Sequence, residues 1–369
     1  MSTKKIRILF TISNFNTAGS GKVVYDLVYG LDKSKFDIEI ACGSREGDFF
    51  KVIEALGVPI YIFETKTPYR PYYNLMFRIW RISKFFKQHQ YDIIHSWQWS
   101  NDWTEALAAR LIGVKWLYTK KAMGFNTKHW HIKSYLAHFI VTINNEMRAY
   151  FPHKKLQALI PLGIDTEYYA PDAILKPIAF DAAAFHIITV ANLVPVKGIQ
   201  VLMDALNLLK DSTIRLSVLG DCDNDYGRDM MALRDQLGMQ EQVQFLGKQM
   251  DVRPYIKSAD LYVIPTLDEG RKEGMPMALV EAMSMGIPVL GSDITGINFV
   301  LSDFKHLLFE AGNPEALSLK INAIKRMDAE ARLKIGQDLR VYCQAHFTME
   351  AFITAHEELY KTILKDGAI

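Results

Sequence analysis

Cysteine is scarce in this 369-residue sequence: Cys42, Cys222 and Cys343 are odd in number and widely scattered. That usage excludes a disulfide framework or a cysteine zinc site and fits a reducing cytoplasm. Long apolar runs are missing too. No stretch reaches 18 consecutive apolar residues, so nothing reads as a membrane-spanning helix. The basic opening Lys4-Lys5-Ile6-Arg7 leads into Ile8-Leu9-Phe10, but Ser13 and Asn14 break the run. It reads as a first buried strand and not as a secretory leader. Net charge is also small, at +2. That balance hides a division: residues 1–170 carry 23 Lys and Arg against 14 Asp and Glu, and the remainder carries 20 against 27. The first half is expected to face something anionic. No nucleic-acid-binding motif accompanies its basic residues, which are interleaved with bulky aromatics, so nucleic acid is not expected as a partner.

What is present is a 49% hydrophobic chain, long enough for two domains that each bury a core. Short apolar, β-rich runs alternate with helical patterns twice over. In the first half, Ile6–Ile12, Phe36–Cys42, Pro59–Phe63, Tyr91–His95, Trp116–Thr119 and Phe139–Ile143 read as strands. In the second, His186–Ala191, Ile214–Leu219, Val243–Leu246, Leu261–Pro265 and Pro288–Ser292 do the same. Nearly all-apolar strands alternating with helices imply parallel sheets covered on both faces. The expected fold class is α/β, as two doubly wound, Rossmann-like domains facing across a cleft. The first domain is assigned to residues 1–165, with a terminal helix within 348–369 packing back on it. The second is assigned to residues 166–347. Ligands of such sheets bind beyond the carboxyl ends of the strands, so polar and glycine-rich segments directly after strands are the places to search.

Three segments qualify. Gly19, Ser20 and Gly21 lie between the first strand and a helix, where bare backbone can approach an anion. Their spacing satisfies neither a Walker A loop nor the dinucleotide fingerprint. Asn192 to Gly198 closes a strand and opens a helix, and Lys197 there can aim an ammonium at a phosphate. The third segment is the most informative. After the strand ending at Pro265 comes Glu273-Gly274-Met275-Pro276-Met277, then Glu281 inside an otherwise apolar helix. Gly274, Met275, Pro276 and Met277 set backbone amides at a helix start. Glu281 is costly to bury without hydroxyl or amide partners. A ribose diol supplies such donors, and the alternative is a salt bridge on the helix face.

Taken together, these segments resemble glycosyltransferase family 4, the retaining nucleotide-sugar transferases of GT-B fold. The resemblance rests on Ala18 to Val24, Pro161-Leu162-Gly163-Ile164-Asp165, Leu193 to Gly198, Val243 to Gly247, Ala259 to Pro265 and Glu281 to Val289. It implies transfer of a hexosyl or N-acetylhexosaminyl group from a UDP- or GDP-sugar to a hydroxyl, with no divalent metal and no other cofactor. It implies that Gly19, Ser20 and Gly21 press amides against the donor phosphate and that Lys197 neutralises the diphosphate. Glu273 would contact the donor sugar and Glu281 the ribose. Gly274 to Met277 would cradle phosphate and sugar, and the backbone from Gly247 to Met250 would meet the base. His95 would contact the sugar or an incipient oxocarbenium centre through its ring or backbone, or, if the family's second histidine does that work, is only a strand-end residue.

This sequence departs from the family pattern in three places. His95-Ser96-Trp97 replaces the frequent His-X-His. Asn192 stands where an Arg usually accompanies the Lys, so Arg271 and Lys272 are candidates to compensate. Lys120 and Lys121 follow the fifth strand, on the acceptor side, where relatives often carry a His.

Residues 65–91 contain six Lys and Arg and no acid. On a helical wheel, Leu75, Ile79, Ile82 and Phe86 share a core face, and Phe77, Trp80, Arg81, Lys84 and Lys87 point away from it. The outward set suits an anionic inner membrane surface. The expected acceptor is a lipid-linked or otherwise anionic saccharide. The protein would then be cytoplasmic and peripheral at that membrane, in assembly of polysaccharide, lipopolysaccharide or glycolipid. Two rival readings are a nucleotide-sugar-binding module that has lost catalysis, and a nicotinamide-dependent oxidoreductase. The missing fingerprint and missing ribose acid count against the second.

Overall fold

A computed structural model of the chain describes residues 4–16, 18–124, 127–173, 178–270 and 273–365. These form two compact units. One runs to Leu162 and includes the C-terminal stretch from Glu350, and the other is Gly163–Met349.

The first unit alternates β1 (Ile6–Ile12), α1 (Ala18–Gly30), β2 (Phe36–Cys42), α2 (Asp48–Glu54), β3 (Ile60–Ile62), α3 (Leu75–His89), β4 (Ile93–Ser96) and α4 (Thr104–Arg110). It continues with β5 (Lys115–Lys120), α5 (Lys128–Leu136), β6 (Phe139–Thr142), α6 (Asn145–Ala149) and β7 (Gln157–Leu159). All strand pairs are parallel, in the order β3-β2-β1-β4-β5-β6-β7. Central strands are apolar on both faces because helices cover both: Ile8, Leu9, Phe10, Ile93 and Ile94 are all fully buried.

The second unit contains β8 (Phe185–Val190), α7 (Ile199–Leu209), β9 (Ile214–Leu219), α8 (Asp225–Gln236), β10 (Val243–Gly247), α9 (Arg253–Ser258), β11 (Leu261–Ile264) and α10 (Met277–Ser284). After these come β12 (Val289–Ser292), α11 (Thr295–Val300), β13 (Leu308–Phe309), α12 (Pro314–Arg326) and α13 (Ala329–His346). The sheet order is β10-β9-β8-β11-β12-β13, again parallel. In each sheet the chain order reverses at one place, between β1 and β4 and between β8 and β11. Ligands of open α/β sheets bind at that switch, beyond the carboxyl ends of the strands. The loops after β1, β4, β8 and β11 are therefore in the right place to form sites.

The last helix, α14 (Met349–Lys365), returns to the first unit. Gly30 makes room for it: a Cβ there would sit 2.8 Å from Ile353. Tyr360 is fully buried edge-on to Phe10 and Phe36, and Glu357 accepts a hydrogen bond from the Asp32 amide. On α3 the buried residues are Leu75, Ile79, Ile82, Ser83 and Phe86, so the apolar stripe read from the sequence is the core face. Burying each such apolar side chain is worth roughly 1.5–3 kcal/mol, enough to fix the helix orientation. Among the described residues no helix is long and apolar enough to cross a membrane.

Candidate functional site

In the second unit, two close backbone approaches bring the expected residues together. Gly198 has φ +65°, and a Cβ there would lie 2.0 Å from the Pro265 carbonyl oxygen. Only glycine lets the loop after β8 touch the end of β11. The Leu267 amide then donates to the Val196 carbonyl at 2.8 Å, zipping the two loops together. The result is that the Lys197 ammonium donates to the Glu273 carboxylate. The lysine is 15% exposed and the glutamate 38%, so the pair sits at an opening and not in the core. A second close approach fixes the backbone that follows: a Cβ on Gly296, in the first turn of α11, would lie 2.5 Å from the Glu273 carbonyl. Gly274, Met275 and Pro276 are buried against that helix start, and α10 begins at Met277. Helix geometry leaves the first-turn amides of α10, including those of Met277 and Ala278, without a carbonyl one turn back. They carry the positive end of the helix dipole.

Glu281 is half-buried on the second turn of α10 and is hydrogen-bonded to the Tyr169 hydroxyl. Burial, then the charge of Glu281, pushes the Tyr169 phenol above its usual range. Tyr262, wholly buried on β11, is raised by its burial and by both Glu281 and Glu273. One phenol therefore senses both carboxylates. Arg340, from α13, donates to the carbonyls of Thr166, Tyr169 and Ser284, which ties the Tyr169 loop to the end of α10. Tyr169, Tyr262, Arg340 and Gly296 were not singled out in the sequence. Only Gly296 left a trace there, as a glycine in the helix start after a strand.

Asn192 is exposed on the loop after β8 that carries Lys197. Gly247, with φ +66°, accepts a hydrogen bond from the Gly220 amide at 3.0 Å, and Gly220 in turn packs against the Ala191 carbonyl. The ends of β8, β9 and β10 thus form one rim. The Met250 side chain stands almost fully in solvent. Arg271 and Lys272 lie outside the described residues. The acidic run Asp221 to Asp225 is a strand-helix turn, with Asn224 accepting from the Gly227 amide to cap α8. Among the described residues no cluster of His, Cys, Asp and Glu could hold a metal ion.

In the first unit, Gly19 is exposed with open space where a Cβ would be, and Ser20 and Gly21 are buried. Ser20 Oγ accepts from the Trp99 indole at 2.8 Å and from the Lys121 ammonium at 2.9 Å. Lys121 also donates to the Trp97 carbonyl and lies 4.7 Å from the Trp99 ring centre. Lys121 therefore stands at the switch between β1 and β4. Lys120 goes the other way: it is buried, with its ammonium 4.2 Å from the centre of the Trp130 ring.

His95, expected at the sugar, is inside the protein. Its ring is fully buried, with Nδ1 at 2.7 Å from the Tyr360 hydroxyl and Nε2 at 2.8 Å from Thr119 Oγ1. Burial, then His356 and Lys121, holds it well below the ordinary histidine range, so it is a neutral interior group with both nitrogens engaged. On α3, Trp80 (52% exposed) stacks on Phe77 (60% exposed), and Lys84 lies 5.5 Å from the Trp80 ring. Arg81 and Lys87 are exposed beside them.

Two doubly wound parallel sheets, of seven and six strands, are the architecture of the GT-B fold. Anabaena Alr3699/HepE, solved in complex with UDP, has this fold: it aligns with 97% of this chain and all of its own at a TM-score of 0.81, with 18% identity. A model described as Glycosyl transferases group 1 matches residues 172–340, and one described as Glycosyltransferase Family 4 matches residues 17–168. The chain belongs to glycosyltransferase family 4. Among curated relatives, the colanic acid biosynthesis protein WcaL of Escherichia coli K12 is 28% identical over 206 residues, 54% of this chain and 49% of WcaL. An E. coli UDP-Gal:alpha-D-GlcNAc-diphosphoundecaprenol alpha-1,3-galactosyltransferase is 27% identical over 282 residues, 68% of this chain and 70% of that protein. The matched stretch is thus about half the length of the first relative and about two-thirds of the second.

Proposed function

We propose that the protein transfers a hexosyl or N-acetylhexosaminyl group from a uridine diphosphate sugar to a hydroxyl of a lipid-linked saccharide, in assembly of a surface polysaccharide. The observation that carries this reading is the Lys197–Glu273 contact beside the start of α10, with Glu281 one turn further along the helix. Glu273 holds the ammonium in place until a diphosphate competes for it. Lys197 and the first-turn amides of α10 then take the negative charge that grows on the departing phosphate. Glu281 accepts from the ribose hydroxyls in place of, or together with, Tyr169.

Retention follows from departure and attack on one face. The anomeric carbon–oxygen bond breaks, and its electron pair goes to the β-phosphate. The acceptor oxygen bonds the same carbon from that side, and its proton passes to the phosphate oxygen. Lys197 supplies charge that a divalent cation supplies in other transferases, so activity should survive chelation. The relatives add weight: the E. coli galactosyltransferase is named for a UDP-sugar donor and a diphosphoundecaprenol-borne acceptor, and HepE binds UDP.

The exposed Trp80, Phe77, Arg81, Lys84 and Lys87 face suits an anionic membrane surface on which such an acceptor is presented. At about 1 kcal/mol per basic residue, it supports reversible docking and not permanent anchoring. The deciding experiment incubates the chain with a panel of nucleotide sugars and a prenyl-diphosphate-linked sugar, with and without chelator, and follows nucleoside diphosphate release. Turnover with a UDP-sugar that is lost in Lys197→Ala and Glu273→Ala supports the reading. No release from any donor, or unchanged turnover in either variant, removes it.

A further inference from the structure

The proposed chemistry leaves one exposed ring near Glu281 without a task. Tyr169 bonds Glu281, and its ring stands edge-on to that of Tyr168, with centres 5.1 Å apart at 76°. The Arg253 guanidinium carbon lies 3.5 Å from the centre of the Tyr168 ring, and Nη1 donates to the Tyr168 carbonyl at 3.0 Å. The guanidinium is itself fixed, because Nε and Nη2 donate to the two oxygens of Asp251 at 2.8 and 2.6 Å. The arginine side chain is 17% exposed, yet Tyr168 is 47% exposed. With one face of the ring covered at contact distance, that exposure belongs to the opposite face and the edge.

Position decides what such a ring can meet. The Tyr169 phenol feels the charges of both Glu281 and Arg253, so the two tyrosines bridge from α10 to the start of α9. Arg253 opens α9 directly after the rim at Gly247 to Met250. There the Gln249 side chain is held between the Leu246 carbonyl at 2.6 Å and the Tyr255 hydroxyl at 3.1 Å. A base shares one bond with its ribose, so a ribose on Glu281 leaves its base within reach of Tyr168. The open face of a phenol offers area for stacking and no charge, which matches a base and not a diphosphate. The donor sugar belongs at the far end of the diphosphate, by Lys197 and Glu273.

On the reading that Glu281 holds the ribose, we infer that Tyr168 is the platform on which the uracil of the donor stacks, its ring sandwiched between the base and the Arg253 guanidinium. Stacking on an aromatic face gives affinity to a base of any kind. Arg253 is then a positioning residue: anchored on Asp251, it holds the ring in place for the base.

The test titrates the full chain with UDP in the parent, Tyr168→Phe, Tyr168→Leu, Arg253→Met and the double variant Tyr168→Leu with Arg253→Met. It also follows the uracil H5 and H6 proton resonances, which an aromatic face shifts upfield. Tyr168→Leu keeps apolar bulk but removes the π-face. It should weaken UDP binding roughly 5- to 100-fold and abolish the upfield shift, and Tyr168→Phe should keep both. Tyr168 is exposed, so both substitutions should leave the melting temperature at the parent value. Arg253→Met should weaken UDP binding less, and the double variant should bind like Tyr168→Leu alone, because the arginine acts only through the ring. Unchanged affinity or a persisting upfield shift in Tyr168→Leu, equal loss in Tyr168→Phe, or fully additive losses in the double variant would overturn the inference and leave the donor reading intact. No UDP binding in the parent would overturn the donor reading and the platform with it, so the two failures read out separately.

Discussion

Replacing Lys197 with alanine separates a structural lysine from a functional one. The ammonium pairs with Glu273, but the two side chains are 15% and 38% exposed, so water screens the pair. Partly exposed pairs are worth about 0–1 kcal/mol. In a unit spanning residues 163–349, a loss of that size lowers the melting temperature by at most about 2–4 °C. The expected cost to catalysis is much larger. A preorganised charge aimed at a developing anion is worth about 3–4 kcal/mol, which corresponds to a drop in kcat of roughly 100- to 1,000-fold. The assay is steady-state release of nucleoside diphosphate, with calorimetric melting on the same preparations. Lys197→Arg keeps the charge but moves it, and should recover only part of the rate. If Lys197→Ala retains kcat within a factor of three, or loses activity only in step with its folding, the assignment of Lys197 to the leaving diphosphate is wrong.

Further consequences can be checked independently. Gly198→Ala should destabilise by at least about 2 kcal/mol and displace Lys197, because φ is +65° and the new Cβ would sit 2.0 Å from the Pro265 carbonyl; chemical denaturation with a parallel activity assay reads both effects. His356 is buried on α14 and held down to about 4 by burial, against about 6.5 in the unfolded chain. The unfolded state therefore binds the extra proton, and stability is full above about pH 6.5 and falls as pH drops toward 4, by about 3 kcal/mol for this group. His95 adds to the fall in the same direction. Urea midpoints from pH 7.5 to 4.5 should show this slope in the parent and a shallower one in His356→Leu, and equal slopes would contradict it. Lys84→Glu with Lys87→Glu should abolish salt-sensitive flotation with anionic vesicles, while leaving donor hydrolysis in solution unchanged. Arg340→Met, which frees the carbonyls of Thr166, Tyr169 and Ser284, should raise KM for the donor several-fold with little change in kcat, since the arginine only holds the Tyr169 loop.

The architecture was legible because doubly covered strands are apolar on both faces, and runs such as Ile6–Ile12 and Ile214–Leu219 leave little room for another period. The short edge strands β7 and β13, of three and two residues, were not. Two or three residues are too few to show a period of two, and the equally short edge strand β3 was visible only as part of the longer run Pro59–Phe63. The α3 face was read correctly because 3.6-residue periodicity is local information. The burial of the His95 ring was not legible, since what covers it is Tyr360, 265 residues later, and nothing near residue 95 announces that α14 returns. Lys120 and Lys121 read as one basic pair, yet neighbouring residues at a strand end point to opposite faces. One went to Trp130 and the other to Ser20. In the second unit, Lys197, Glu273 and Glu281 were visible as isolated polar residues after strands. Tyr169, which bonds Glu281, and Tyr262, which feels the charge of both glutamates, were not, because a phenol is ordinary in a core.

Calorimetric titration of the intact chain with UDP, in the parent and in Glu281→Ala, tests the central claim most directly. A carboxylate that accepts from ribose hydroxyls makes charge-assisted hydrogen bonds, each worth about 1.5–3 kcal/mol, so the variant should bind UDP roughly 10- to 100-fold more weakly. Saturable binding in the parent that weakens by that factor is the predicted result. Absence of binding in the parent, or equal affinity in the two proteins, would contradict a nucleotide diphosphate held by Lys197, α10 and Glu281.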